Sequence, residues 1–375
     1  MINETHWENF KNELPHTIPP FNKRNWGNGI HSLCSYYGKL KPSLAHHLVE
    51  VFSRPGDVVL DIFSGSGTVL FESINKGRSA IGFDINPISV AITSGKCSTH
   101  NMERVKKELA SLEKYIKNYV PTKSELDKAK AFGFNKTLAE YYESNTLNEI
   151  LAAREYFKGK VGKSVECDLI IGAFLHILHG NRPYALSRRS HPITPYAPTG
   201  DFEYRGVMPR LEKKVYKSMA QLELEDLSRA TVFQQDVLSD WPTNVKDIDL
   251  ILTSPPFFDS TKYYLTNWIR NWFLGWEKED FNIKKEEFVD TLQKSSLEIY
   301  EDIFNKCYNA IVQNGAVVFH LGKSKKLDMG KALKPIAEKV FRNVELFNED
   351  VSTLENHGVS DKGSVNIHQY LVMRK

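Results

Sequence analysis

Apolar spacing in this chain changes character twice, dividing 375 residues into two strand-and-helix segments around a mostly helical middle. Val58-Val59-Leu60 opens a buried strand that runs through Asp61-Ile62-Phe63 into Ser64-Gly65-Ser66-Gly67-Thr68, and Val69-Leu70-Phe71 then starts a helix. Ala80-Ile81-Gly82-Phe83 is a second strand closed by Asp84, and Asn86-Pro87 opens the next helix where proline is tolerated. From residue 101 to about 229 the spacing is helical: Val105, Leu109, Leu112 and Ile116 recur among lysines and glutamates, and 138–157 reads as a second long helix. Residues 168–175 are apolar all round, which predicts a buried helix. Alternation resumes with a strand at 230–236 ending in Asp236, then the run Ile248-Asp249-Leu250-Ile251-Leu252. An aromatic-rich helix at 263–276, a helix at about 286–310, and strands at 316–321, 344–347 and 367–373 complete the pattern. Strands alternating with helices predict an α/β fold with a mainly parallel sheet, whose ligands sit at the carboxyl edge.

Two strand ends carry the candidate chemistry. Gly65 and Gly67 suit a tight turn whose backbone approaches a ligand closely. An acid at the tip of the second strand, roughly 20 residues past such glycines, is where a nucleoside ribose is held by its hydroxyls, and Asp84 occupies that place. Taken alone, this turn fits any nucleotide-binding unit. The other end is Thr253-Ser254-Pro255-Pro256-Phe257, directly after the fourth apolar run. Two prolines fix the backbone there, so a carbonyl, a short hydroxyl and a ring face are presented together. That is a floor for a flat base bearing an exocyclic amine.

Together these residues resemble the S-adenosylmethionine-dependent amino-methyltransferases that modify exocyclic amines of DNA bases. That family's cofactor motif D-x-F-x-G-x-G-T is matched by Asp61, Phe63, Gly65, Gly67 and Thr68, its ribose-binding acid by Asp84, and its catalytic D/N/S-P-P-Y/F/W motif by Ser254, Pro255, Pro256 and Phe257. The resemblance also implies that Asp236 lies beside the cofactor's adenine. Residues 31–48 are similar to the helix-and-loop segment that closes over the methionine end, with contacts expected across 36–41, Lys41 included. What it implies overall is a class I methyltransferase, Rossmann-like, with a mainly parallel seven-stranded sheet, an antiparallel last strand and a largely helical insert. Residues 1–100 would hold the lid segment and the cofactor-binding half of the catalytic domain, 101–229 the insert and candidate target-recognition region, and 230–375 the catalytic half. A motif beginning with serine resembles the enzymes acting on N4 of cytosine; adenine N6, an RNA amino-methyltransferase and a non-catalytic DNA-binding module are the alternatives.

Composition narrows the setting. A net charge of +3 is mild, so a nucleic-acid surface must be local. The stretch 181–200 supplies one: Arg182, Tyr184, Arg188, Arg189 and Tyr196 pair guanidinium groups for phosphates and guanine edges with rings for stacking. Cys34, Cys97, Cys167 and Cys307 form no close pair, which argues against a zinc site or a disulfide framework and for a reduced, cytoplasmic setting. None follows a proline, so the Pro-Cys nucleophile of cytosine-C5 methylation is missing. No apolar stretch is long enough to span a bilayer. The expected partner is double-stranded DNA, with a cognate restriction endonuclease as a candidate second one.

Overall fold

A computed structural model describes residues 4–23, 26–190, 197–222, 230–258, 262–351 and 365–375. Seven strands form one sheet: β1 (Val58–Asp61), β2 (Ser79–Asp84), β3 (Ala230–Gln234), β4 (Ile248–Thr253), β5 (Ile311–Ser324), β6 (Asn343–Asp350) and β7 (Val365–Arg374), in the order β3-β2-β1-β4-β5-β7-β6. The first five pair in parallel, and β7 runs antiparallel to both β5 and β6. This is the class I methyltransferase topology. Strand order reverses between β1 and β4, which makes the crevice beyond their carboxyl ends the expected ligand site.

Sixteen helical segments dress the sheet among the described residues that this account needs: α1 (Glu4–Glu13), α2 (Pro42–Phe52), α3 (Thr68–Asn75), α4 (Pro87–Lys96), α5 (Met102–Asn118), α6 (Lys123–Ala131), α7 (Leu138–Tyr141), α8 (Ser144–Phe157), α9 (Val165–Ile177), α10 (Val207–Met219), α11 (Tyr263–Thr266), α12 (Trp268–Phe273), α13 (Asp280–Ile283), α14 (Val289–Leu292), α15 (Ile299–Ala310) and α16 (Met329–Glu338). Side chains alternate across the sheet with the strand period of two. Leu60, Ile251, Val317 and Phe319 therefore enter one core with Ile303 and Phe304 of α15, while Val59, Leu250, Leu252 and Val318 enter another with Trp7 of α1 and Leu48 of α2.

The helices of 101–229 share a continuous core with the sheet's own helices. Leu70, Phe71 and Ile92 pack in one cluster with Leu109, Ile150, Phe174, Trp268 and Phe273. Gly95 allows this closeness, since a Cβ there would lie 2.7 Å from the Leu169 Cα. Three expected long helices are broken. The one at 138–157 divides because the Glu143 carboxylate accepts from the Asn145 and Thr146 amides and starts α8 afresh. The one at 263–276 divides at Asn267 into α11 and α12, and the one at 286–310 divides into α14 and α15. No described helix is long and apolar enough to cross a membrane.

Candidate cofactor and base-binding site

Because β3, β2, β1 and β4 are parallel neighbours, their carboxyl ends open on one edge. A cavity of about 880 Å³, counting its open mouth, lies there and is bordered by Asp61, Phe63, Gly65, Asp84, Asp236 and Ser254. The glycine turn and the double-proline corner, far apart in sequence, thus face one space.

The turn is built around left-handed glycines, with φ +49° at Gly65 and +67° at Gly67. Gly67 lies beneath the turn, and a Cβ on it would come within 2.5 Å of Thr93 Cγ2. Asp84 holds the turn from the next strand: Oδ2 accepts from the Gly65 amide at 2.9 Å, and Oδ1 accepts from the Asn86 amide at 2.9 Å. Asp61 ties β1 to β4, its Oδ1 accepting from Thr253 Oγ1 at 2.6 Å and from the Phe63 amide at 3.1 Å. Burial pushes both carboxyls up, Asp61 to about 7 and Asp84 to about 6, against the pull of those same donors. The Lys96 Nζ donates to the Ser66 carbonyl from below, and burial lowers its pKa to about 7.

Ser64, Ser66 and Thr68 border the cavity, yet their hydroxyl oxygens are buried with no hydrogen-bond partner. Each such group costs roughly 1–3 kcal/mol. A polar ligand seated on the turn would satisfy them, so the residues present fit the amino-acid and ribose ends of an adenosyl cofactor.

At the corner, Ser254 Oγ donates to the His320 carbonyl at 3.2 Å and lies 3.2 Å from His320 Nδ1. A hydroxyl has one hydrogen, so both contacts hold together only if Nδ1–H donates to Oγ. One Ser254 lone pair then remains for an incoming N–H. Burial drives the His320 pKa far below its ordinary value, so the ring is neutral. The Phe257 ring is half-buried, its centroid 5.6 Å from that of His320. It packs so tightly on β5 that a Cβ at Gly322 would come within 2.6 Å of it. The Pro256 carbonyl accepts from Gln293 Nε2 at 3.1 Å. Pro255 is buried in the corner itself.

Tyr36 and Tyr263 roof the cavity. Their ring centroids are 6.1 Å apart, the Tyr36 hydroxyl lies 3.0 Å from Ser89 Oγ, and the Tyr263 hydroxyl donates to the Tyr37 carbonyl at 3.4 Å. Beneath this lid, Glu72 accepts from His31 at 2.7 Å and His46 at 3.1 Å, anchoring the segment to α3. Lys39 and Leu40 border the cavity. Lys41 does not: it caps α2 and its Nζ donates to the His16 carbonyl at 2.7 Å, because the chain has turned away by that point. Asp236 borders the cavity while its carboxylate folds back on its own loop, accepting from the Leu238 amide at 2.9 Å and Ser239 Oγ at 3.3 Å. Sequence reasoning missed Tyr263, His320, Gln293 and Asp290. Tyr263 had a visible signal in its aromatic-rich stretch, and the others had none.

The basic loop reaches the lid through Tyr184. Its hydroxyl lies 2.9 Å from His176 Nε2, and His176 Nδ1 accepts from the Ser35 amide at 3.1 Å. Arg182 is exposed beside the Tyr184 ring, and the Arg189 side chain is exposed as well. Arg188 is used internally: its guanidinium donates to the Gly200 and Glu140 carbonyls at 2.8 and 2.9 Å and covers Phe202 at 4.1 Å. Tyr196 lies outside the described residues.

Residues 7–94 match the model of a family described as DNA methylase, N6/N4 type. That segment contains the lid, the glycine turn and Asp84, and ends before the double-proline corner. A curated relative, Type II methyltransferase M.MjaII of Methanocaldococcus jannaschii, is 30% identical over 90 residues, covering 24% of this chain and 17% of that protein. Among solved structures, TrmN from Thermus thermophilus aligns at TM-score 0.35 and 12% identity over 92% of this chain and 52% of its own. The rRNA methyltransferase aviRa from Streptomyces viridochromogenes aligns at TM-score 0.35 and 10% identity over 96% and 95% of the respective chains.

Proposed function

We propose that this chain, whose residues 7–94 match the N6/N4 DNA methylase family model, methylates an exocyclic amine of a base in double-stranded DNA, with N4 of cytosine the preferred atom. The observation that carries the reading is the opening of Ser254 and the Gly65 turn onto one cavity. S-adenosylmethionine supplies the chemistry there, an electrophilic methyl on a sulfonium. Asp84 would take the ribose hydroxyls, Asp236 and its loop would lie by the adenine, and Ser64, Ser66 and Thr68 would face the methionine end.

The protein's own part is placement. A base stacked in a duplex cannot reach a cavity at the sheet edge, so it must flip out, at roughly a few kcal/mol. The Phe257 ring, braced by Gly322, would stack on the flipped base. Its amine is a poor nucleophile because its lone pair is conjugated with the ring. The free lone pair of Ser254 Oγ and the Pro255 carbonyl would accept its two N–H bonds and favour a pyramidal nitrogen. The neutral His320 ring holds Ser254 in the orientation that leaves that lone pair available. Orientation and fixed dipoles, without a strong general base, supply the acceleration; after transfer the methylated nitrogen passes one proton to bulk water. The serine that opens the motif supports cytosine over adenine.

Radiolabelled methyl transfer to duplex DNA and to total RNA, followed by base-resolved sequencing, tests this reading. N4-methylcytosine in duplex DNA is the expected product. N6-methyladenine would overturn the choice of base, and label in RNA alone would overturn the substrate class.

A further inference from the structure

Residues 287–293 carry no motif, yet Glu287, Phe288, Val289 and Asp290 border the cavity, and side chains of the stretch bond the backbone at Pro256 and Tyr263. Gln293 donates from Nε2 to the Pro256 carbonyl at 3.1 Å and is itself fixed by the Tyr300 hydroxyl, which donates to Oε1 at 3.0 Å. One helical turn earlier, Asp290 Oδ2 accepts from the Tyr263 amide at 3.3 Å. The two side chains of α14 and its end therefore grip residues 256 and 263 from the same side.

Asp290 is only 4% exposed, borders the cavity, and has a second carboxylate oxygen, Oδ1, that is buried without a hydrogen-bond partner. Burial raises the Asp290 pKa, against the opposing pull of the Tyr263 amide, the Lys294 ammonium and the amides of Asp290 and Thr291. Buried acceptors are normally filled. An orphan oxygen on a cavity wall marks the place of a donor brought by a ligand.

Resting on the methyltransferase reading above, we propose that Asp290 is a cofactor-contacting residue: Oδ1 accepts a hydrogen bond from an N–H or O–H of S-adenosylmethionine while Oδ2 fixes Tyr263. One carboxylate then meets both the cavity's occupant and the Tyr263 amide. The donors available on the cofactor are its α-ammonium, its ribose hydroxyls and its adenine amine. S-adenosylhomocysteine carries all of them, whereas the target base offers its own exocyclic amine only when DNA is present.

Titration calorimetry of both ligands into the full chain, without DNA, tests the assignment. Asp290→Asn keeps an oxygen for the Tyr263 amide and places a donor where Oδ1 stood. It should weaken both ligands equally, by about tenfold or more, as expected for a hydrogen bond to a charged group. Gln293→Ala, which frees the Pro256 carbonyl and the Tyr300 hydroxyl but leaves Asp290 in place, should bind within twofold of wild type and lose turnover instead. A ligand-free melting curve like that of wild type marks the Asn variant as folded; should it unfold, Asp290→Ser, with a smaller acceptor, takes its place. Binding of both ligands unchanged by substitution, with methyl transfer to DNA alone impaired, would assign Oδ1 to the target amine and overturn the proposal. If the wild-type chain bound neither ligand, the methyltransferase reading itself would fall, and this assignment with it.

Discussion

At the residue scale, the four positions of the corner divide the labour unevenly. Phe257 offers a ring braced by β5, and stacking of a base on an aromatic side chain is worth roughly 1–3 kcal/mol. Phe257→Ala should therefore lower kcat/KM for duplex methylation by at least about tenfold while leaving cofactor affinity unchanged; near-normal turnover would remove Phe257 from the base site. Asp61 and Asp84 make a pH prediction whose sign follows from burial. Their folded values, about 7 and about 6, lie above the ordinary carboxylate range, so the folded chain retains protons that the unfolded chain has released. The stability each contributes relative to a non-titrating residue is complete below about pH 4 and is lost as pH rises through the folded value. Denaturant melts should show the advantage of wild type over Asp61→Asn shrinking between about pH 4 and about pH 7, and a constant difference would refute the shift. Donation from ribose hydroxyls to Asp84 favours its ionised form, so cofactor binding near pH 6 should release a proton, measurable by calorimetry in buffers of different ionisation heat. Asp84 and the corner were legible in the sequence. His320 was not, because only the pairing of β4 with β5 makes a strand-interior histidine the neighbour of Ser254.

At the element scale, the turn after β1 is the least tolerant segment. A non-glycine residue at the left-handed φ of Gly67 costs roughly 1–2 kcal/mol, and its Cβ would also meet Thr93 Cγ2 at 2.5 Å. Gly67→Ala should lower the melting temperature, and adding Thr93→Ala should recover only part of the steric loss, since its Cβ stays 3.0 Å away, and none of the dihedral part. Full recovery in the double variant would show that the backbone conformation carries no strain. Strands were readable because runs such as 80–83 and 316–321 are largely apolar and end at an acid or a glycine. Helix breaks at 143, 267 and 293–298 were not, since periodicity carries no record of a side chain that caps a new helix or of a carbonyl that Gln293 must reach.

At the scale of the whole molecule, the helical middle is continuous with the sheet's helical layer, and it sets which cations are free. Arg182 is exposed beside the Tyr184 ring, whereas Arg188 is bound to two carbonyls. Arg182→Ala should weaken duplex binding across sequences and reduce the salt slope by about one, measured by fluorescence anisotropy across salt concentrations. Arg188→Ala should lower the melting temperature, and the opposite assignment of the two effects would reject this view of the surface. What the sequence by itself determined was the chemistry placed at each strand end, because glycine, proline and acid side chains constrain the backbone locally. Only the tertiary structure decided which ends meet. The 2.6 Å bond from Thr253 to Asp61 spans 192 positions, and the order of strands in a sheet, not any local spacing, brings such a pair together. The internal use of Arg188 and the unfilled oxygen of Asp290 are consequences of the same packing.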